Sequence, residues 1–172
     1  TDRPERIVAA DRVIFPGVGA AGSCMTNIRS AGLDQALRAI DASGKPLLCV
    51  CIGMQLLFDR SAEDGGVECL GLFPGSVERF VSADPSIKIP HMGWNRIQYT
   101  GDPLFAGVVG DGHFYFVHSY FCAPAAGVDV IATSDHGGSF CAGVRRGNTA
   151  AVQFHPEKSG PNGLRLLANF LS

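Results

Sequence analysis

Residues 12–16 and 45–50 are two short, nearly continuous apolar runs, the pattern of short buried strands. The first leads into Gly17-Val18-Gly19-Ala20-Ala21-Gly22, a flexible glycine-rich turn. From Ser23 to about Ile40 apolar positions recur at helical spacing, with a break near Gly32. The second run leads directly into residues 52–58, whose pattern predicts a helix, so Cys51 falls at a strand-to-helix junction. In the second half, residues 94–99, 113–120, 128–133, 139–144 and 149–154 read as strands, with Asp135-His136-Gly137-Gly138 as a hairpin turn. Residues 164–171 form a closing amphipathic helix. The alternation in the first half predicts an α/β fold: a central, mostly parallel sheet flanked by helices, with an antiparallel, strand-rich second half. Without internal repeats or a linker, residues 1–172 are expected to form one domain.

Composition narrows the function classes. The chain has 172 residues, 46% hydrophobic and 17% charged, with a net charge of −2. That is enough for a sizeable core. Basic residues are not clustered, which argues against nucleic acid as a partner. No apolar run approaches the ~20 residues of a membrane span, and Thr1 to Arg6 lacks signal-peptide character. The six cysteines are scattered in apolar runs without a disulfide or zinc spacing. They read as buried free thiols, which points to a reducing, cytoplasmic setting.

Cys51 is the candidate nucleophile. A strand, a nucleophile, one residue and then Gly53 before a helix is the pattern of a nucleophile elbow. The turn exposes the side chain at the C-terminal edge of the sheet, where the helix N-terminus favours thiolate over thiol. The N–H of Ile52 is a candidate oxyanion donor. Cys49, inside the strand, reads as a core residue. The second chemical segment is Val152-Gln153-Phe154-His155-Pro156-Glu157. Proline at 156 favours an extended His155, and residues two apart in an extended segment project to one side. His155 and Glu157 can therefore pair, the carboxylate orienting the imidazole that takes the Cys51 proton. Val18 and Gly19 follow a strand and should lie at the same sheet edge, where their N–H groups complete an oxyanion hole. His113 and His118 point to opposite faces of their strand, and His136 reads as a solvated turn residue. His91 lies in a loop with either a functional or a packing role.

Together Cys51-Ile52-Gly53-Met54-Gln55 and His155-Pro156-Glu157 resemble the triad of class I glutamine amidotransferases, and Pro16-Gly17-Val18-Gly19 resembles their oxyanion strand. Ile89-Pro90-His91-Met92-Gly93-Trp94-Asn95 and Tyr115-Phe116-Val117-His118-Ser119-Tyr120 are similar to segments of the glutaminase subunits of imidazole glycerol phosphate synthases. The resemblance implies Cys51 as nucleophile, His155 as acid/base and Glu157 as its orienter. It implies Val18, Gly19 and Ile52 around the oxyanion, and Gly17, Gln55, Glu63, Ser119 and Tyr120 around the substrate, L-glutamine. It further implies a (β/α)₈-barrel cyclase as heterodimer partner, an ammonia tunnel between the two, and no cofactor or metal. Two departures stand out. Cys49 occupies a position where the family usually has glycine. An opening βα unit of roughly 30 residues, which the family carries before the equivalent of Arg6, is not in this sequence, so the expected sheet lacks its first strand. The alternatives are another class I glutaminase or cysteine hydrolase, and a catalytically impaired binding subunit.

Overall fold

The computed structural model describes residues 1–110 and 112–172. In chain order the helices and strands are α1 (Pro4–Ala9), β1 (Val13–Phe15), α2 (Ala21–Ser30), α3 (Leu33–Ser43), β2 (Leu47–Val50), α4 (Ile52–Gln55), β3 (Arg60–Ser61), β4 (Val67–Glu68), β5 (Gly75–Arg79), β6 (His91–Tyr99), β7 (His113–His118), β8 (Tyr120–Pro124), β9 (Asp129–Asp135), β10 (Ser139–Arg146), β11 (Thr149–Val152) and α5 (Gly160–Leu171). The strands join in one mixed sheet whose main path runs β1-β2-β11-β10-β8-β5-β3-β4, with β6, β7 and β9 branching from it. β1-β2-β11 form a parallel trio that β10 extends antiparallel, and the short β3 pairs parallel with β5 further along the sheet.

β2 is buried along its whole length because both faces of the sheet are covered. Leu47 and Cys49 pack into one core with Met25, Ile28, Leu37 and Ile40 of α2 and α3. Leu48 and Val50 pack into the other, with Phe114, Phe116, Phe154, Leu166 and Phe170. The three parallel strands end side by side: Phe15 pairs with Cys49, and Val152 with Val50. The glycine turn, Cys51 and the segment from Gln153 onward thus leave one sheet edge together, the usual place for a site in a parallel α/β sheet.

Several elements differ from the sequence reading. The expected helix over residues 52–58 is a single turn, Ile52–Gln55. Leu56, Leu57 and Phe58 instead accept long-range backbone bonds from Leu70, Leu72, Phe73 and Gly71. The expected strand over residues 113–120 is two, broken at Ser119, because β7 pairs with β6 while β8 pairs with β5 and β10. The break near Gly32 is present, with Gly32 at φ 67° between α2 and α3. Helix α1 and strands β3, β4 and β5 gave no clear sequence pattern. No helix among the described residues is long and apolar enough to cross a membrane.

Candidate active site

The elbow is built from backbone constraints. Cys51 has φ 55° and ψ −113°, a strained conformation for a residue other than glycine. Three hydrogen bonds hold it there. Its N–H donates to the Val152 carbonyl at 2.8 Å, and its own carbonyl accepts from Met54 and Gln55 at 3.0 and 3.3 Å. Gly53 sits against β1: a Cβ there would lie 2.5 Å from the Phe15 carbonyl oxygen. Gly17 sits against the elbow in turn, its missing Cβ 2.2 Å from Ile52 Cγ2. Two glycines therefore let the glycine turn and the elbow touch through their backbones.

The same segment explains the thiol. Burial pushes the Cys51 pKa up to about 11; the Ile52 backbone N–H lowers it, nearby Glu157 raises it, and Gln153 and Lys158 lower it. The sequence reading expected a helix dipole to favour thiolate. A helix of one turn offers little dipole, and desolvation of a side chain in a residue only 8% exposed outweighs it. At this value about one thiol in ten thousand is ionised at pH 7, so Cys51 would need a base to act as a nucleophile. Cys49 is fully enclosed and its pKa lies still higher through burial.

His155 is the candidate base. Its Nδ1 lies 2.7 Å from Glu157 Oε1, which fixes Nδ1–H as donor and leaves Nε2 free as acceptor. That Nε2 is buried without a hydrogen-bond partner, so no bond joins it to Cys51 in this state. His155 itself is extended, with φ −99° and ψ 97°, as the proline suggested, but the residues after it are not. Residues Pro156–Lys158 form a tight 3₁₀ turn, and the turn swings Glu157 back to the ring. The His155 N–H donates to the Tyr115 carbonyl at 2.9 Å, and Ser159 Oγ donates to the His155 carbonyl at 2.6 Å.

Cys51 and His155 open into one cavity of about 230 Å³, lined also by Val18, Gly19, Ile52, Gln55, Glu63, Ser119 and Tyr120. Gln55 spends both amide hydrogens inside the protein, on the Tyr120 carbonyl and on Gln153 Oε1, each at 3.0 Å. Its Oε1 remains as an acceptor for a cationic or N–H group in the cavity. Glu63 Oε2 accepts the Ala21 N–H at 2.8 Å and so caps α2. Its neighbour Asp64 caps Gly22 at 3.2 Å and does not line the cavity. Two sequence candidates do not line the cavity: Gly17, which sits against Ile52, and Glu157, which reaches the site through the His155 ring.

Sequence reasoning missed Val117 and His118, which also line the cavity. His136 lies in the expected turn and is half-buried, but it also stacks on His91 with ring centroids 4.2 Å apart and bonds the Lys88 carbonyl, contacts that the sequence did not show. His91 Nδ1 lies 2.9 Å from His118 Nε2, a buried neutral pair. Burial first, then neighbouring rings, holds His91 at about 3; burial chiefly holds His118 at about 4. Both would titrate near 6.5 in the unfolded chain. The unfolded state therefore gains protons that the folded state refuses, and stability falls as the pH drops below 6.5 towards 4. Melting temperatures measured from pH 7.5 to 4 should decline through that window; a flat profile would contradict the neutral buried pair.

A family model, "Glutamine amidotransferase class-I", matches residues 2–172. The chain belongs to the class I glutamine amidotransferases. This amidotransferase is 52% identical to the imidazole glycerol phosphate synthase subunit HisH of Methylococcus capsulatus, across 99% of its own length and 82% of that protein. It is 47% identical to the same subunit of Nitrosococcus oceani, across 100% of its length and 82% of that protein. Among solved structures, a crystal structure of a glutamine amidotransferase matches with a TM-score of 0.71 at 20% identity, covering 100% of this chain and 85% of that one. A Trypanosoma brucei CTPS glutaminase domain with bound acivicin matches with a TM-score of 0.65 at 17% identity, covering 98% and 74%. At these identities the two structures bear on the fold of the amidotransferase, and the HisH subunits bear on its branch of the family.

Proposed function

We propose that this chain hydrolyses L-glutamine at Cys51 and passes the ammonia to a cyclase partner that makes imidazole glycerol phosphate in histidine biosynthesis. The observation that carries the reading is the strained Cys51 elbow opening into one cavity with the His155–Glu157 pair. Glutamine enters beside Gln55, Glu63, Ser119 and Tyr120. His155 Nε2 takes the Cys51 proton, and the thiolate attacks the side-chain carboxamide. The N–H groups of Ile52 and of Val18 or Gly19 hold the resulting oxyanion. His155 returns its proton to the departing nitrogen, leaving a glutamyl thioester and ammonia. Water deprotonated by His155 then cleaves the thioester to glutamate and free thiol.

An exposed aromatic face supports a partner beside this site. Trp94 and Met92 are 57% and 62% exposed on β6. Trp94 packs edge-on to Tyr115, whose carbonyl holds the His155 N–H, and Lys158 lies over the Tyr115 ring. A (β/α)₈ barrel docking on this face would receive ammonia close to where it is released.

Glutamate release assayed with and without the barrel cyclase tests the reading. Release should be slow alone, since Cys51 is protonated and unbonded to His155, and should rise on adding the partner. Binding of the partner with no glutamate release would overturn it in favour of a scaffold role. Glu157→Gln should lower kcat by about 10- to 100-fold with little change in KM, because half-exposed Glu157 orients the base from a partly solvated position. Steady-state kinetics check this, and an unchanged kcat would remove Glu157 from the triad.

A further inference from the structure

Gln153 is a buried polar side chain that the mechanism above leaves unused, with 0% exposure. Its Nε2 lies 3.7 Å from Cys51 Sγ, within reach of an N–H bond to sulfur. Its Oε1 accepts from Gln55 Nε2 at 3.0 Å. The orientation of the amide is dictated from further away. The Tyr120 carbonyl takes the other Gln55 N–H at 3.0 Å and the His118 Nδ1–H at 2.8 Å. His118 Nε2 accepts from His91 Nδ1 at 2.9 Å, and His91 Nε2 accepts from Asn95 Nδ2 at 3.0 Å.

The donors and acceptors leave one consistent assignment. Gln55 has only N–H groups to offer Gln153, so the Gln153 oxygen must face Gln55 and its NH₂ must face the sulfur. Turning the amide over would set two NH₂ groups against each other and an oxygen against the developing thiolate. A donor is therefore fixed on the sulfur before substrate arrives, and a hydrogen bond to the charged form of an acid favours that form.

We propose that Gln153 is a further catalytic residue, donating an N–H to the Cys51 sulfur to stabilise the attacking thiolate while bracing Gln55 in the substrate cavity. The electrostatics at Cys51 agree in direction, with Gln153 among the groups that favour its ionised form. The inference rests on Cys51 being the nucleophile.

The test follows the rate of iodoacetamide alkylation of Cys51 against pH, alongside glutamine turnover with the cyclase present. Gln153→Met should move the alkylation profile up by about one pH unit, making the reaction about tenfold slower at any pH below the midpoint. kcat should fall by a similar factor. Gln55→Met removes the N–H that fixes the amide, so it should raise KM and also move the alkylation profile up, by less than Gln153→Met does. Gln153→Asn, whose amide stops one methylene short, gives a second reading if the methionine variant does not fold. In the unsubstituted protein, nuclear magnetic resonance should find a Gln153 Nε2 proton downfield, returning to the ordinary glutamine range in Cys51→Ala. A folded Gln153 variant with the native alkylation profile, or a Gln153 resonance indifferent to Cys51→Ala, would overturn the proposal. If complete alkylation of Cys51 left turnover intact, the nucleophile assignment itself would fail instead.

Discussion

Cys51→Ala and His155→Ala should each lower kcat for glutamine hydrolysis by at least about 10⁴-fold, and the double variant should be no slower than the slower single one. Non-additivity follows from the geometry. Burial pushes the Cys51 thiol up to about 11, so on the proposed mechanism it would react only once a base takes its proton. His155 carries an Nε2 acceptor locked by Glu157 and enclosed in the same cavity. Removing either group leaves the other without a task. What survives is the oxyanion N–H groups and substrate binding, which neither substitution touches. Glutamate release in the presence of the cyclase measures this. Losses that multiply in the double variant would mean that the two side chains act in separate steps, and the coupled proton transfer would be wrong.

Gly163→Ala should cost about 3 kcal/mol, with a drop in melting temperature of roughly 6–12 °C. A Cβ at Gly163 would lie 1.8 Å from the Pro156 carbonyl oxygen and 2.9 Å from Ser159 Cβ. The first is backbone of the turn that carries Glu157, so α5 must separate from that turn. The displacement reaches the chemistry, because Ser159 Oγ holds the His155 carbonyl and accepts the Tyr115 N–H. A shift of about 1 Å at His155 should lower kcat by about 100-fold on top of the stability loss. Leu164→Ala, at a 65% exposed neighbour, should leave both nearly unchanged. Thermal melts and kinetics on the two variants decide it; a Gly163→Ala protein with native melting and turnover would show that the turn does not depend on its packing against α5.

The parts of this site that could be read in the sequence are those fixed by local pattern. The continuous apolar run of β2 announced a short buried strand, and Gly53 two residues after Cys51 announced a tight exit from it. The chain also showed His155 and Glu157 in pairing distance, although only half of the reason holds: His155 is extended before its proline, but a 3₁₀ turn, and not a continued extended segment, brings Glu157 to the ring. Features set by long-range contacts were hidden. Leu56, Leu57 and Phe58 carry a helix-compatible pattern, yet their carbonyls are taken by residues 70–73, and an all-buried run has no period to reveal that. The break at Ser119 follows from β7 and β8 having different partner strands, which no local pattern records. Gln153 stands next to a recognised motif, but its bond to Cys51 spans 102 positions of sequence. The thiol was misjudged because a helix start was visible in the sequence and the depth of its burial was not.

The most direct measurement is covalent labelling with a glutamine-mimicking chloroketone, followed by peptide mass spectrometry. The label should fall on Cys51 alone of the six thiols, be blocked by L-glutamine, and disappear in His155→Ala at neutral pH. Labelling of Cys49 or Cys24 in place of Cys51, or labelling of Cys51 that glutamine does not block, would contradict a glutamine-binding elbow at Cys51.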